Sequence, residues 1–245
     1  MMKGNLSNKF LAELIGTFFL VFIGTGSAVH GTLLANGHVG ALGGFAEWFA
    51  ISLAFGLTVM VGIYSLGKIS GANFNPAVTI GLLISGNISL RDSIGYIIAQ
   101  IIGAVLGSLF VFICIGPSSA TVAALGATAP ASGVSVISAI IAELIGTYLL
   151  VLVVMGTAVD KKADPRAAGL AIGTAVALAI FVLGPITGGS INPARTFGPY
   201  LIDYFVGGGN LWGYFYIYII GPILGGILAA LTYMGLASNN SNCKI

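Results

Sequence analysis

Charge is what this chain has least of. Only 7% of its 245 residues are Asp, Glu, Lys or Arg, against about 25% in an ordinary soluble domain, and a solvated surface cannot be built from so few. The net charge of +2 comes without a basic cluster, so nucleic acid is not an expected partner. Cysteine is nearly absent too. Cys114 and Cys243 stand far apart, which suggests neither a disulfide framework nor a zinc site. No phosphate-binding glycine loop, metal-ligand cluster or nucleophile triad occurs, so neither an enzyme nor a bound cofactor is indicated. The alternation of a membrane β-barrel is missing as well.

What is present is apolar sequence: 57% hydrophobic residues and a mean hydropathy of +1.05. Apolar stretches near 10–30, 46–66, 94–116, 136–158, 167–184 and 212–236 each approach or exceed the roughly 20 residues that cross a hydrocarbon core of about 30 Å. The reading is an all-α membrane protein with six transmembrane helices in one channel-sized domain, 1–245. The first stretch follows Lys3 and Lys9 like a secretory signal, but its near copy at 142–159 argues against removal.

That copy is part of a duplication with halves at about 10–116 and 136–236. "AELIGT" occurs at 12 and at 142, "LAFG" at 53 matches "LAIG" at 170, and "IGYIIAQIIGAVLG" at 94 matches "WGYFYIYIIGPILG" at 212. The offset falls from 130 to 117 after the first helix, which places 13 extra residues of loop around 30–44. Three spans per half is an odd number, so the second half enters the membrane from the other side and the repeats are inverted. Basic residues agree: Lys3, Lys9, Lys68, Arg91, Lys161, Lys162, Arg166 and Lys244 fall on the side holding both termini, by the positive-inside rule the cytoplasm. Arg195 alone lies on the other side. The uncharged stretch 115–135 reads as an ordered outer loop or linker with little chemistry of its own.

Each half carries an Asn-Pro pair within a polar interruption: "ISGANFNPAVT" at 69 and "ITGGSINPART" at 186. About ten residues follow each pair before the next break, "AVTIGLLISG" and "ARTFGPYLID", too few to span. At 1.5 Å per residue each would reach about 15 Å, so two half-helices entering from opposite faces would meet near the midplane. Pro76 and Pro193 suit a first helical position, and Asn75 and Asn192 suit the N-cap. An Asn cap accepts from the helix N–H groups through its oxygen, which leaves its NH2 free as a donor. Two such donors, backed by the positive ends of two helix dipoles, suit an oxygen lone pair and repel cations. Non-helical backbone at that depth, Gly71-Ala72-Asn73 in one loop and Gly188-Gly189-Ser190 in the other, must be buried in protein or line water. A pore for neutral, oxygen-bearing molecules follows.

The paired motifs, with Ala77 and Ala194 completing Asn-Pro-Ala, resemble the major intrinsic protein family, the aquaporins and glycerol facilitators, over roughly residues 10–236. The resemblance implies six helices plus two re-entrant half-helices, a homotetramer with one pore per subunit, and passage of water and small neutral solutes. It also implies a constriction at Phe55, Ile180, Gly189 and Arg195. Ile180 stands where water-specific members usually carry His, which implies a wider and more apolar constriction. Thr196 stands where glycerol facilitators typically have Asp. The combination is most similar to archaeal aquaporins.

Glu13 and Glu143 are repeat-related carboxylates inside spans, where an ionisable group is a functional hypothesis. The reading given to them is structural, holding N–H groups of the re-entrant loops. Gly56, Gly173, Gly103, Gly107, Gly221 and Gly225 read as close helix contacts. His30 and His38 are placed in the first outer loop as solvated residues. The leading function is a passive water channel. A facilitator mainly for glycerol or dissolved gas, favoured by Ile180, and an ion-coupled secondary transporter remain as alternatives, the last without an acidic residue in either motif.

Overall fold

The computed structural model of the chain describes residues 6–36 and 43–238; Lys3, His38, Cys243 and Lys244 lie outside them. Among the described residues, six helices are long and apolar enough to cross a membrane. Four are α1 (Leu6–Asn36), α2 (Gly43–Ser70), α4 (Leu90–Ile115) and α7 (Ala168–Thr187). The fifth is α6 (Val136–Val154), continued by a π-turn at Met155–Val159, and the sixth is α9 (Ile217–Ser238), preceded by a 3₁₀ turn at Trp212–Tyr214. Two short helices interrupt the series after the Asn-Pro pairs: α3 (Pro76–Ile84) and α8 (Pro193–Phe205). A four-residue helix α5 (Ser118–Thr121) and a 3₁₀ turn at Ala124–Gly126 lie between α4 and α6.

Helix starts follow local chemistry. Ser89 caps α4 by accepting from the Asp92 N–H, and Ser135 caps α6 by accepting from that of Ser138. The apolar residues then divide by face. Ile94, Ile98 and Ile102 of α4, and Ile137, Ile141 and Ile145 of α6, recur every four residues and are exposed, a pattern that would be inverted in water and suits a lipid-facing surface.

Small residues bring the helices together in three pairs. A β-carbon on Gly56 of α2 would lie 2.5 Å from the Gly173 carbonyl oxygen of α7, and one on Gly173 would lie 2.6 Å from that of Gly56. Gly103 and Gly107 press α4 onto the carbonyls of Leu14 and Phe18 in α1, and Gly221 and Gly225 press α9 onto those of Ile140 and Leu144 in α6. The half-helices cross over between the halves. Gly226 of α9 leaves 2.7 Å between its β-carbon position and the Ala77 carbonyl oxygen of α3, while Gly198 of α8 abuts the Ala104 carbonyl of α4.

Three details differ from the sequence reading. His30 is not in a loop: α1 runs on to Asn36, and the ring Nδ1 is 3.0 Å from the Gly26 carbonyl oxygen one turn back. Part of the 13-residue insertion therefore lengthens a helix. The 115–135 connection is not chemically idle either, because Leu125 is wholly buried and Thr128 bonds to the second half-helix.

Candidate functional site

Each re-entrant loop is held by one buried carboxylate. Glu13 of α1 accepts through Oε1 from the Ser70 hydroxyl at 2.6 Å and the Asn73 N–H at 3.0 Å, and through Oε2 from the Phe74 N–H at 2.7 Å and the Gln100 amide at 2.8 Å. Glu143 of α6 accepts through Oε1 from the Thr187 hydroxyl at 2.6 Å and the Ser190 N–H at 2.9 Å, and through Oε2 from the Ile191 N–H at 2.6 Å. Loop N–H groups with no helical partner need such acceptors, since no bulk water reaches that depth.

The loops need them also because their backbone is strained. Ala72 (φ 55°), Phe74 (φ 50°) and Ile191 (φ 47°) sit in the left-handed region, uncommon for any residue with a β-carbon and an outlier for a β-branched one. The same region is taken at Gly71 and at Gly188 and Gly189. Such strain persists only where the surroundings over-determine it, and the paired carboxylate contacts on consecutive N–H groups supply that.

The caps come next. Asn75 Oδ1 accepts from the Ala77 N–H at 2.9 Å, and Asn192 Oδ1 accepts from the N–H groups of Ala194 at 3.0 Å and Arg195 at 3.2 Å. Pro76 and Pro193 occupy the first helical positions. The amide nitrogens are not wholly free, as the cap argument alone implied. Asn75 Nδ2 donates to the Ile191 carbonyl at 2.8 Å, and Asn192 Nδ2 donates to the Phe74 carbonyl at 2.9 Å. Each cap thus bridges to the other half's loop with one hydrogen and keeps one.

Both asparagines line a cavity of about 440 Å³. Its lining combines the apolar Leu20, Val59, Leu150 and Val176 with the asparagines and the loop residues Gly71, Ala72, Asn73, Ser190 and Ile191. Phe55, Ile180 and Arg195 also line it. Gly188 and Gly189 do not. Gly189 packs on α7, its β-carbon position 3.2 Å from the Ile180 α-carbon, and Gly188 packs on Thr128. Arg195 is turned inward, only 3% exposed, with its guanidinium carbon 5.0 Å from the Phe55 ring centroid. Its Nε and Nη1 are buried and have no hydrogen-bond partner among the described residues. At the end of the cavity near the start of α1, Lys9 and Asp92 pair at 3.1 Å.

A model of the family "Major intrinsic protein" matches residues 1–233. The chain belongs to the major intrinsic protein family. Among characterised sequences, this major intrinsic protein is 53% identical over 245 residues to the probable aquaporin AqpM of Archaeoglobus fulgidus, covering 96% of this chain and 99% of that one. It is 50% identical to aquaporin AqpM of Methanothermobacter marburgensis, again over 96% and 99% of the two chains. Among solved structures, the aquaglyceroporin from Plasmodium falciparum superposes with a TM-score of 0.79 at 28% identity, covering 94% of this chain and 96% of that one.

Several residues of this major intrinsic protein's site escaped the sequence reading: Gln100, Thr79, Thr128, Tyr200 and Tyr218. Gln100 donates to the Thr79 hydroxyl as well as to Glu13. Tyr218 donates to the Thr187 carbonyl and Tyr200 to that of Thr128. Gln100 left a signal, being the one amide in the apolar run of α4; its repeat mate is Tyr218.

Proposed function

We infer that the protein is a passive transmembrane water channel that excludes ions and protons. The observation that carries this is the arrangement of the two capping asparagines on one cavity: each has one amide hydrogen locked to the opposite loop and one left over, in a cavity otherwise lined largely by apolar side chains. A water oxygen that accepts from both leftover hydrogens turns its own hydrogens toward the neighbours on either side. The wire of waters then has opposite polarity above and below, and a proton cannot be relayed through the middle. Cations meet two helix N-termini and the Arg195 guanidinium, all positive.

Ion-coupled transport finds little support in the geometry. The acidic residue among the cavity's lining groups is Asp92, at the mouth and paired with Lys9, whereas an ion-coupled site is built near the midplane. Ile180 favours leakage of small neutral solutes, because an aliphatic side chain beside Arg195 and Phe55 offers an alkyl backbone a surface to slide along. Assembly as a homotetramer with a pore in each subunit fits the exposed apolar faces and the family. The positive-inside rule applied to Lys9, Lys68, Arg91, Lys161, Lys162 and Arg166 supports a cell-membrane protein with both termini in the cytoplasm.

The test is stopped-flow shrinkage of proteoliposomes in impermeant osmolyte and in glycerol. The protein is expected to raise osmotic water permeability well above bare lipid; permeability at the bare-lipid level defeats the reading. Ile180→His is expected to raise the water-to-glycerol ratio, and an unchanged ratio would remove Ile180 from the constriction.

A further inference from the structure

We propose that Thr128, brought in by the connection between α4 and α6, is a positioning residue that sets the polarity of the cavity wall at Ser190 and thereby the discrimination between water and small polyols. Three buried hydroxyls form a chain: Thr128 Oγ1 is 3.1 Å from Thr196 Oγ1, which is 2.6 Å from Ser190 Oγ. The direction of the chain is fixed by counting hydrogens. Ser190 has one O–H, and it donates to the Asn192 carbonyl at 2.9 Å. Each of the three hydroxyls then has an acceptor only when Thr196 donates to Ser190 and Thr128 donates to Thr196.

The far end of the chain is the pore. Ser190 lines the cavity beside Asn192 and Arg195, yet its hydrogen is turned away from the cavity and into the Asn192 backbone. Thr128 itself is anchored on both sides: its carbonyl accepts from the Tyr200 hydroxyl at 2.6 Å, and its α-carbon lies 2.9 Å from the β-carbon position of Gly188.

The other half of the molecule shows where the chain would go without Thr128. Thr79, at the same register as Thr196, donates to the carbonyl of its own cap, Asn75, at 3.0 Å. Thr196 does not make the equivalent bond to the Asn192 carbonyl with its side chain, because that carbonyl is taken by Ser190. If the Thr128 hydroxyl is removed, Thr196 loses its donor and is free to turn back along α8 as Thr79 does along α3. Ser190 is then displaced from the Asn192 carbonyl and presents its O–H to the cavity. A hydroxyl there offers a polyol the partner it loses on leaving water, and glycerol gains more than water does.

This inference rests on the water-channel reading, and the experiment separates the two. Water and glycerol permeabilities are measured in proteoliposomes for the wild type, Thr128→Val, Thr128→Ser, Ser190→Ala and the Thr128→Val/Ser190→Ala double variant. Thr128→Val is expected to lower the water-to-glycerol ratio by roughly three- to tenfold, the size of one neutral hydrogen bond gained, while Thr128→Ser retains the wild-type ratio. In the Ser190→Ala background the Thr128→Val effect is expected to vanish, which a loosened connection would not cause. Thr196→Val, which removes the hydroxyl that would displace Ser190, is expected to retain the wild-type ratio and to cancel the Thr128→Val effect in the Thr128→Val/Thr196→Val double variant, and Thr128→Ala serves if Thr128→Val does not fold. An unchanged ratio, or a shift that persists undiminished without Ser190, overturns the proposal while leaving the channel reading intact. A wild type that conducts no water would defeat that reading instead.

Discussion

In the first half, Thr79 bonds to its own helix cap and receives hydrogens from the amides of Asn73 and Gln100. In the second half, Thr196 at the same register bonds to Ser190 and to Thr128 from the α4–α6 connection. The carboxylates differ in the same sense. Glu13 serves four donors, of which Ser70 and Asn73 lie in half-buried residues along the cavity, whereas Glu143 serves three donors in fully buried residues, two of which, Ser190 and Ile191, still edge the cavity. Backbone geometry was duplicated faithfully, down to three matching left-handed residues per loop. The closure around it was not. The more exposed first loop leads to Val78, and the more deeply buried second loop, backed by tyrosines and hydroxyls, leads to Arg195.

The sharpest way to break this comparison is to remove each carboxylate. Glu143→Ala leaves the N–H groups of Ser190 and Ile191 unpaired in buried residues, at about 1–3 kcal/mol each, and is expected to abolish recovery of folded protein. Glu13→Ala is expected to be the milder change, because cavity water can reach Ser70 and Asn73. Yield and melting temperature in detergent measure both; equal losses would show that the first loop is as closed as the second.

Next in size is Arg195→Val, which gives the second copy the Val78 of the first. Losing a buried cation stacked on Phe55 is expected to raise glycerol permeability by roughly tenfold, a change of about 1.4 kcal/mol, and to admit cations that the wild type excludes. Liposome flux assays report both. Tight exclusion persisting in the variant would place the filter at the asparagines alone.

The smallest effect belongs to Asp203 in the last turn of α8, outside the six spans, where the first copy has Gly86. Burial pushes this carboxyl up to about 6, opposed by a bond from the Gly209 N–H, and its Oδ1 has no partner among the described residues. The folded protein therefore holds this proton more tightly than the unfolded chain, whose carboxyl titrates near 4. Its contribution is fullest below about pH 4, falls as the pH rises from 4 to 6, and is level above that. Asp203→Asn should flatten that fall in a melting-temperature series, and an unaltered pH profile would assign it elsewhere.

The six spans, the two half-helices and both caps were legible in the sequence because each rests on a local rule: hydropathy over about 20 residues, Pro at the first helical position, Asn before it. Glu13 and Glu143 were legible for the same reason, as charges where charge is expensive. What lay beyond reach were partners fixed by packing. Nothing near Asn75 says that its amide will bond to Ile191, and nothing in the small polar residues of 115–135 distinguishes Thr128 from its neighbours until α8 is laid against it. His30 misled because α1 carries no stop signal where its repeat mate turns aside at Met155–Val159.

The bonds from Asn75 to Ile191 and from Asn192 to Phe74 join residues 116 and 118 positions apart. A chain emerging from the ribosome therefore makes its first loop long before the carbonyl that Asn75 needs exists, and the Phe74 carbonyl waits equally long for Asn192. With α3 seated on α9 as well, the first half-helix cannot reach its final place until the last span has been synthesised. The bonds at the centre of the pore are completed only when both halves are present, and a chain ending before α9 lacks the seat that Gly226 gives α3.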